Sequence, residues 1–188
     1  MMLPNRRGRG RAALRTQGNK MTAPSISIRH AEEADLPGIL AIYNDAVVNT
    51  TAIWNETESD LDGRRLWWRE RTSRGFPVLV AVDEERIAGY ATFGDFRPHE
   101  GYRFTVENSI YVRADLRGRG IAGLMMVPLI EAAETLGMHA MVAGIEAGNL
   151  ASIRLHERFG FREVARMPEV GIKFGHWLDL VLMQKMLG

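Results

Sequence analysis

The spacing of apolar residues along the chain predicts seven strands. Runs rich in β-branched and aromatic residues, each bounded by turn-forming residues, are typical of strands in a sheet with buried faces. They cover residues 25–29, 78–82, 87–93, 105–112, 138–147, 161–167 and 177–186. An acidic turn at residues 83–86 joins the second and third runs, which predicts a hairpin.

Helical spacing predicts four helices between these strands. Asp35 can cap the first, with Pro37 in its first turn. Its buried face is formed by Leu36, Ile39, Leu40, Tyr43 and Val47. Either Ser59 or Asp60 can cap the second helix, which runs to Ser73 and ends before Gly75.

The third and fourth predicted helices cover residues 121–136 and 149–159, and Gly160 closes the fourth. Pro128 lies inside the third helix, where it removes a donor to the carbonyl of Leu124. This loss costs roughly 3 kcal/mol in a straight helix. We therefore expect a kink there.

The order of these elements predicts a mixed α/β sheet with helices on both faces. Strands that first pair locally and then alternate with helices favour this class. We expect residues 23–188 to form a single domain, because 188 residues with 46% apolar content suit one core.

Residues 1–22 are expected to be a disordered basic extension. Residues 1–20 contain six Lys or Arg and no acid, which leaves 18 basic against 23 acidic residues in the remainder, a net charge of −5. A mildly acidic body argues against nucleic acid as the main partner, although a basic arm that binds nucleic acid is an alternative for the extension.

Several function classes are excluded by composition. The chain has no cysteine, so it has no disulfide, thiolate nucleophile or cysteine metal site. The histidines show no metal-ligand spacing, and we expect no metal. No run of about 18 apolar residues is present, so no membrane span is expected.

A glycine-rich turn is the strongest chemical signal. Arg117-Gly118-Arg119-Gly120-Ile121-Ala122 follows a predicted strand and opens a predicted helix. This order gathers free backbone N–H groups and the positive end of a helix dipole at one point, which suits a diphosphate. An ordinary solvated loop is the alternative interpretation of this hexapeptide.

The motif Arg-x-x-Gly-x-Ala at 117–122 resembles the acetyl-CoA pyrophosphate motif of the GNAT superfamily of N-acetyltransferases. Residues 149–161 are similar to its second signature. The resemblance is closest to the phosphinothricin and methionine sulfoximine acetyltransferase branch, and it spans residues 25–186. The stretches that carry it lie at residues 42–44, 51–56, 96–98, 105–112 and 177–180.

The resemblance implies the GNAT fold, whose strands part in the middle to admit acetyl-CoA, and it implies a site for the cofactor and one for the substrate. The implied acetyl-CoA contacts are Ile110, Tyr111, Val112, Arg117, Gly118, Arg119, Gly120, Ile121, Ala122, Gly123, Asn149 and Ser152. The implied substrate contacts are Arg97, Pro98, His99, Arg103, Glu107, Asn108 and Ser109. Asn149 can cap the following helix as well.

Glu107 is the candidate general base, acting directly or through water, because it lies in the strand before the cofactor turn. His156 is the candidate acid for the departing thiolate, and a cofactor contact is its alternative role. Arg97 and Arg103 can clamp the carboxylate and second polar head of a glutamate analogue. His176 stands where the branch usually has Arg, which puts fine specificity in question.

The predicted function is acetyl-CoA-dependent N-acetylation of a small amino-acid analogue in the cytoplasm, as detoxification. A homodimer is expected from the resemblance and from large apolar side chains at Trp67, Trp68, Phe76 and Trp177. The alternatives are acetylation of a polyamine or a protein N-terminus, and a sensor that binds acetyl-CoA without turnover. Trp67 and Trp68 are adjacent on a helix, so core or interface packing is favoured over a ligand cage.

Overall fold

Seven strands form one mixed sheet in the computed structural model, which describes residues 26–188. They are β1 (Ser27–His30), β2 (Val78–Asp83), β3 (Arg86–Asp95), β4 (Thr105–Val112), β5 (Ala140–Glu146), β6 (Arg162–Lys173) and β7 (His176–Met186). Their order is β1-β2-β3-β4-β5-β7-β6. Among the strand pairs of residues 26–188, only β4–β5 is parallel. The predicted basic extension at 1–22 and the predicted strand start at Ser25 lie outside the described residues.

Four helices cover the two faces, which confirms the predicted class. They are α1 (Leu36–Asn49), α2 (Leu61–Ser73), α3 (Ile121–Thr135) and α4 (Leu150–Arg158). Apolar residues of α1 and α2 pack on one face against Val78, Val80 and Tyr90. Those of α3 and α4 pack on the other face in a larger core. No helix between residues 26 and 188 has the length and apolar character to cross a bilayer.

The helix starts follow the predictions with one difference. Asp60 caps α2, since its Oδ1 accepts the N–H of Gly63 at 2.7 Å. Asp35 occupies the N-cap position of α1, but its side chain caps nothing there. Both its oxygens bind Arg29 of β1, at 2.6 and 2.8 Å, so the acid ties the first helix to the edge of the sheet.

Pro128 lies inside α3, and the helix continues through it to Thr135. The residue therefore does not end the helix, and the kink stays a prediction. On the buried side of α3, Met125, Met126 and Leu129 are fully enclosed. This packing stabilises the helix around the missing hydrogen bond.

The predicted end of the sixth strand at residue 167 is wrong. β6 continues to Lys173, with a register shift between Met167 and Gly171. Pro168 is tolerated because β6 is the edge strand, where a missing N–H breaks no ladder bond. Glu169 has a φ of +52°, and its N–H donates to Asp179 at 2.9 Å. A bulge thus interrupts the strand without ending it.

β4 and β5 pair over only three positions before they separate. Thr105, Val106 and Glu107 lie opposite residues 140–142 of β5. Beyond Glu107, β4 pairs with β3 alone, as far as Val112. One edge of β4 is therefore free of strand partners in its second half. The gap opens at Glu107.

Candidate active site

A cavity of about 800 Å³ lies where β4 and β5 separate. This volume lies within the range of ligand sites in proteins. Eleven of the twelve predicted cofactor contacts line it, namely Ile110, Tyr111, Val112, Arg117, Gly118, Gly120, Ile121, Ala122, Gly123, Asn149 and Ser152. Arg119 is exposed and does not line the cavity.

The start of α3 forms an anion cradle at the cavity wall. Gly120 is the N-cap residue with a φ of +82°, and no side chain caps the helix. The N–H groups of residues 121–123 have no partner within the helix, since its first bond is from the N–H of Leu124 to the carbonyl of Gly120. A Cβ added at Gly118 or Gly120 would meet no atom within 4 Å. The residues therefore fit a diphosphate that contacts the backbone closely.

Arg117 and Asn149 also line the cavity, and each is fixed by hydrogen bonds. Arg117 donates to Asp45 of α1 at 3.0 Å and to the carbonyl of Val112 at 3.2 Å. The Oδ1 of Asn149 accepts the N–H of Ser152 at 3.1 Å. Asn149 therefore caps α4, as predicted, while it also faces the cavity.

Sequence reasoning missed a buried lysine behind the opposite wall, which includes Thr50 and Thr51. Lys173 of β6 is fully buried, and its Nζ donates to the carbonyl of Thr50 at 2.7 Å and to that of Ile53. Thr51 in this segment donates to Glu146 at 3.2 Å. Burial lowers the pKa of Lys173. The resemblance already included residues 51–56, but it assigned them no role.

Glu107 occupies the apex of the gap. It is the last residue of β4 that pairs with β5, and it is partly buried. Its Oε1 lies close to Gly144 of β5, 2.9 Å from the position that a Cβ on that residue would take. Burial raises the pKa of Glu107, while the charges of Arg97 and Arg71 act in the opposite direction. The carboxyl group is therefore a better proton acceptor than an exposed glutamate.

Asn108 and His156 lie on the other face of the sheet, because side chains alternate along β4. Asn108 is buried against Met126 of α3, and its Nδ2 lies 3.2 Å from His156 Nε2. His156 Nδ1 donates to the carbonyl of Ser152 at 2.8 Å. This bond fixes the neutral tautomer, and burial lowers the pKa of His156.

These contacts place Asn108 away from the predicted substrate set. Its side chain points into the core, which leaves the backbone of Asn108 for a substrate contact, and that contact stays a prediction. His156 is buried, does not line the cavity, and has a partner at each ring nitrogen. Its role as the acid for the thiolate stays a prediction. Both ring nitrogens are already hydrogen-bonded within the protein, so neither is open to the cofactor in this geometry.

Each arginine of the predicted pair stacks on an aromatic ring next to it in the chain. Arg97 is exposed and stacks on Phe96 at 4.7 Å, and its charge reaches Glu107. Arg103 lies over Phe104 at 4.6 Å and donates to the carbonyl of Glu100. Pro98 and His99 share the exposed loop of Arg97, while Ser109 shares the face of Glu107 by alternation. Arg71 of α2 is the arginine near Glu107 that sequence reasoning missed.

Potential metal ligands do not cluster in this part of the chain. Across residues 26–188, no group of three or more His, Asp or Glu side chains has the arrangement needed to hold a metal ion.

Comparison with known proteins agrees with this geometry. Residues 39–161 match the model of the Acetyltransferase (GNAT) family. The chain is 58% identical, over 85% of its length and 94% of the relative's, to the L-methionine sulfoximine/L-methionine sulfone acetyltransferase of Pseudomonas paraeruginosa. More distant relatives are named phosphinothricin N-acetyltransferase.

Two solved structures share the fold. The ribosomal-protein-alanine N-acetyltransferase from Brucella melitensis superposes with a TM-score of 0.85 and 55% identity, covering 86% of this chain and 99% of that one. The protein yncA from Salmonella typhimurium, solved with its cofactor acetyl-CoA, gives 0.86 and 48%, covering 87% and 94%. With its split sheet and open helix start, this chain belongs to the GNAT acetyltransferase family and is an N-acetyltransferase.

Proposed function

We propose that this enzyme acetylates the α-amino group of methionine sulfoximine, methionine sulfone or phosphinothricin with acetyl-CoA. The observation that carries the proposal is the position of Glu107. It is the last residue of β4 that pairs with β5, at the point where the gap opens, and the charges of Arg97 and Arg71 act on its carboxyl group. The names of relatives at 34 to 58% identity support the substrate class.

Different groups of the chain bind the cofactor and deprotonate the substrate. Acetyl-CoA supplies the acetyl group when bound, and the free N–H groups at the start of α3 hold its diphosphate. Glu107 accepts the proton of the substrate amine, directly or through one water molecule. With no cysteine in the chain, transfer proceeds directly within a ternary complex rather than through a thioester on the enzyme.

A protein N-terminus is the second candidate substrate, because the Brucella melitensis relative is named for that activity. It presents the same kind of amine without a neighbouring carboxylate. A polyamine is disfavoured, since the charges of Arg71 and Arg97 beside Glu107 repel a second cation. A sensor that binds acetyl-CoA without turnover would not need the partly buried carboxyl group of Glu107 where the gap opens.

The direct test is a thiol-release assay with acetyl-CoA and a panel of amines. We expect turnover with methionine sulfoximine, methionine sulfone or phosphinothricin. We expect kcat/KM at least about tenfold lower with spermidine or an alanine-initiated peptide, because neither has an α-carboxylate. Higher kcat/KM with the peptide would instead assign the enzyme to protein N-termini.

Replacing Glu107 with Gln should lower kcat by about 10² to 10³ at pH 7 and leave the KM of acetyl-CoA nearly unchanged, because only the proton acceptor is lost. The deficit should shrink towards pH 10, where solution deprotonates the amine. Steady-state rates from pH 6 to 10 measure this. A deficit that is equal at every pH would contradict the general-base role.

Thermal unfolding supplies the control for this variant. Burial raises the pKa of Glu107, so its ionised form destabilises the fold above that pKa. Glu107→Gln should therefore match or exceed the Tm of the parent at pH 7. The difference should shrink as the pH falls through the raised pKa, because the parent then takes up a proton. A lower Tm at pH 7 would make the lost activity a folding defect.

Gly120→Ala should weaken acetyl-CoA binding beyond its effect on folding. Gly137 is the matched control, since both residues have positive φ, +82° and +70°, and neither would bring a Cβ within 4 Å of another atom. Each alanine should cost about 1 to 2 kcal/mol of stability through backbone strain. Only Gly120 lines the cavity, so its variant alone should raise the KM of acetyl-CoA, by about tenfold. Equal KM values of acetyl-CoA for the two variants would show that Gly120 has only a structural role.

We also propose a cytoplasmic homodimer, with residues 23–188 as one domain and a detoxifying role. Of the four large side chains that suggested a dimer, Phe76 is buried, and Trp67 and Trp68 pack against the α1 core. Trp177 is 63% exposed, and Ile172 opposite it on edge strand β6 is 51% exposed. An open strand edge with an apolar row suits a second copy of the same chain.

Light scattering at micromolar concentration should give about twice the 21.1 kDa chain mass. Ile172→Glu should reduce it to one chain, because a charge would be buried between copies. Leu66→Glu on α2, where the parent residue is 61% exposed, is the control and should leave the mass unchanged. A monomer for the parent protein would refute the dimer, and a dimer for Ile172→Glu would move the interface elsewhere.

A further inference from the structure

Glu107 has a glycine beside it on each neighbouring strand. Gly94 of β3 is its direct partner in the antiparallel ladder, and Gly144 lies next to it on β5. The carboxyl group of Glu107 fills the space over Gly144. The space over Gly94 is filled from elsewhere in the chain.

Arg71 of α2 fills the space over Gly94. A Cβ at Gly94 would lie 1.2 Å from the Nη1 of Arg71 and 2.3 Å from its Cζ. The guanidinium therefore occupies the place of the side chain that would neighbour Glu107 across the ladder. Directly opposite Cβ atoms lie roughly 4.5 to 5.5 Å apart, so the two groups stand side by side.

The guanidinium of Arg71 is left without an acidic partner. Asp95 is the next acid along β3, but Arg74 holds both its oxygens, with Nη2 to Oδ1 at 2.8 Å. Between residues 26 and 188, the side chain of Arg71 forms no ion pair or hydrogen bond, with Glu107 or with any other group. Arg71 is half-buried, and this burial lowers the pKa of its guanidinium. An unpaired, partly desolvated cation favours an incoming anion.

We propose that Arg71 binds the α-carboxylate of the substrate while Glu107 accepts the proton of its α-amino group. In an α-amino acid these two groups are attached to one carbon, which matches an acid and a guanidinium standing side by side. The planar guanidinium can hold a carboxylate by two parallel hydrogen bonds. This inference rests on the proposed function and names the group that selects free amino acids.

The test compares methionine sulfone with its α-carboxamide, which keeps the amine and removes the negative charge. The parent enzyme should prefer the acid in kcat/KM by about 30-fold, as expected for hydrogen bonds to a charged group. Arg71→Met keeps an unbranched apolar stem, and its ratio of acid to carboxamide should fall about 30-fold relative to the parent. Comparing the ratio between enzymes cancels the difference in reactivity between the two amines.

Two further variants make the result decisive. Arg69→Gln changes an exposed arginine on the same helix and should keep the parent preference. Arg71→Lys keeps a charge without the planar fork, and should give an intermediate ratio even if Arg71→Met does not fold. An unchanged ratio in either Arg71 variant would overturn the proposal. A parent enzyme that acetylates no amino acid would instead refute the proposed function.

Discussion

The loss of pairing between β4 and β5 is the constraint on which the rest of the site depends. Backbone donors and acceptors inside a protein need partners, and a sheet normally supplies them from the neighbouring strand. After Glu107, β4 has a neighbour on one side only. The two cavity-facing helix starts, at Gly120 and Asn149, lie around the same opening. The binding site is thus the place where the fold leaves its own backbone groups available to a ligand.

Because side chains alternate along β4, Glu107 and Asn108 lie on opposite faces of the sheet. Glu107 shares a face of the sheet with Tyr111 of β4 and with Arg71 of α2, while Asn108 faces α3 and α4. The first face therefore carries the glutamate and the arginine for which we propose roles in deprotonating and binding the substrate. The second face carries a closed set of hydrogen bonds through His156 that stabilises α4 against the sheet. A shift of one residue in register would exchange the two faces and abolish both arrangements.

Local signals in the sequence predicted much of this architecture. The strand Thr105–Val112, the cap at Asp60 and the glycine turn each depend on residues within a few positions of one another. The missed features depend on distant residues. Lys173 reaches back to Thr50, and a bulge carries β6 past a proline that locally resembles a strand end. Arg97 stacks on Phe96 and Arg103 on Phe104, contacts that the spacing of the sequence does not reveal.

The absence of a side chain at Gly94 couples positions 94 and 71, which are distant in the sequence. The guanidinium of Arg71 and a side chain at position 94 would occupy the same volume, so one chain cannot hold both in this arrangement. Any lineage that gains even a methyl group at position 94 must move or replace Arg71 at the same time. The residue at position 94 therefore determines whether a guanidinium can stand beside Glu107, although it contributes no functional group itself.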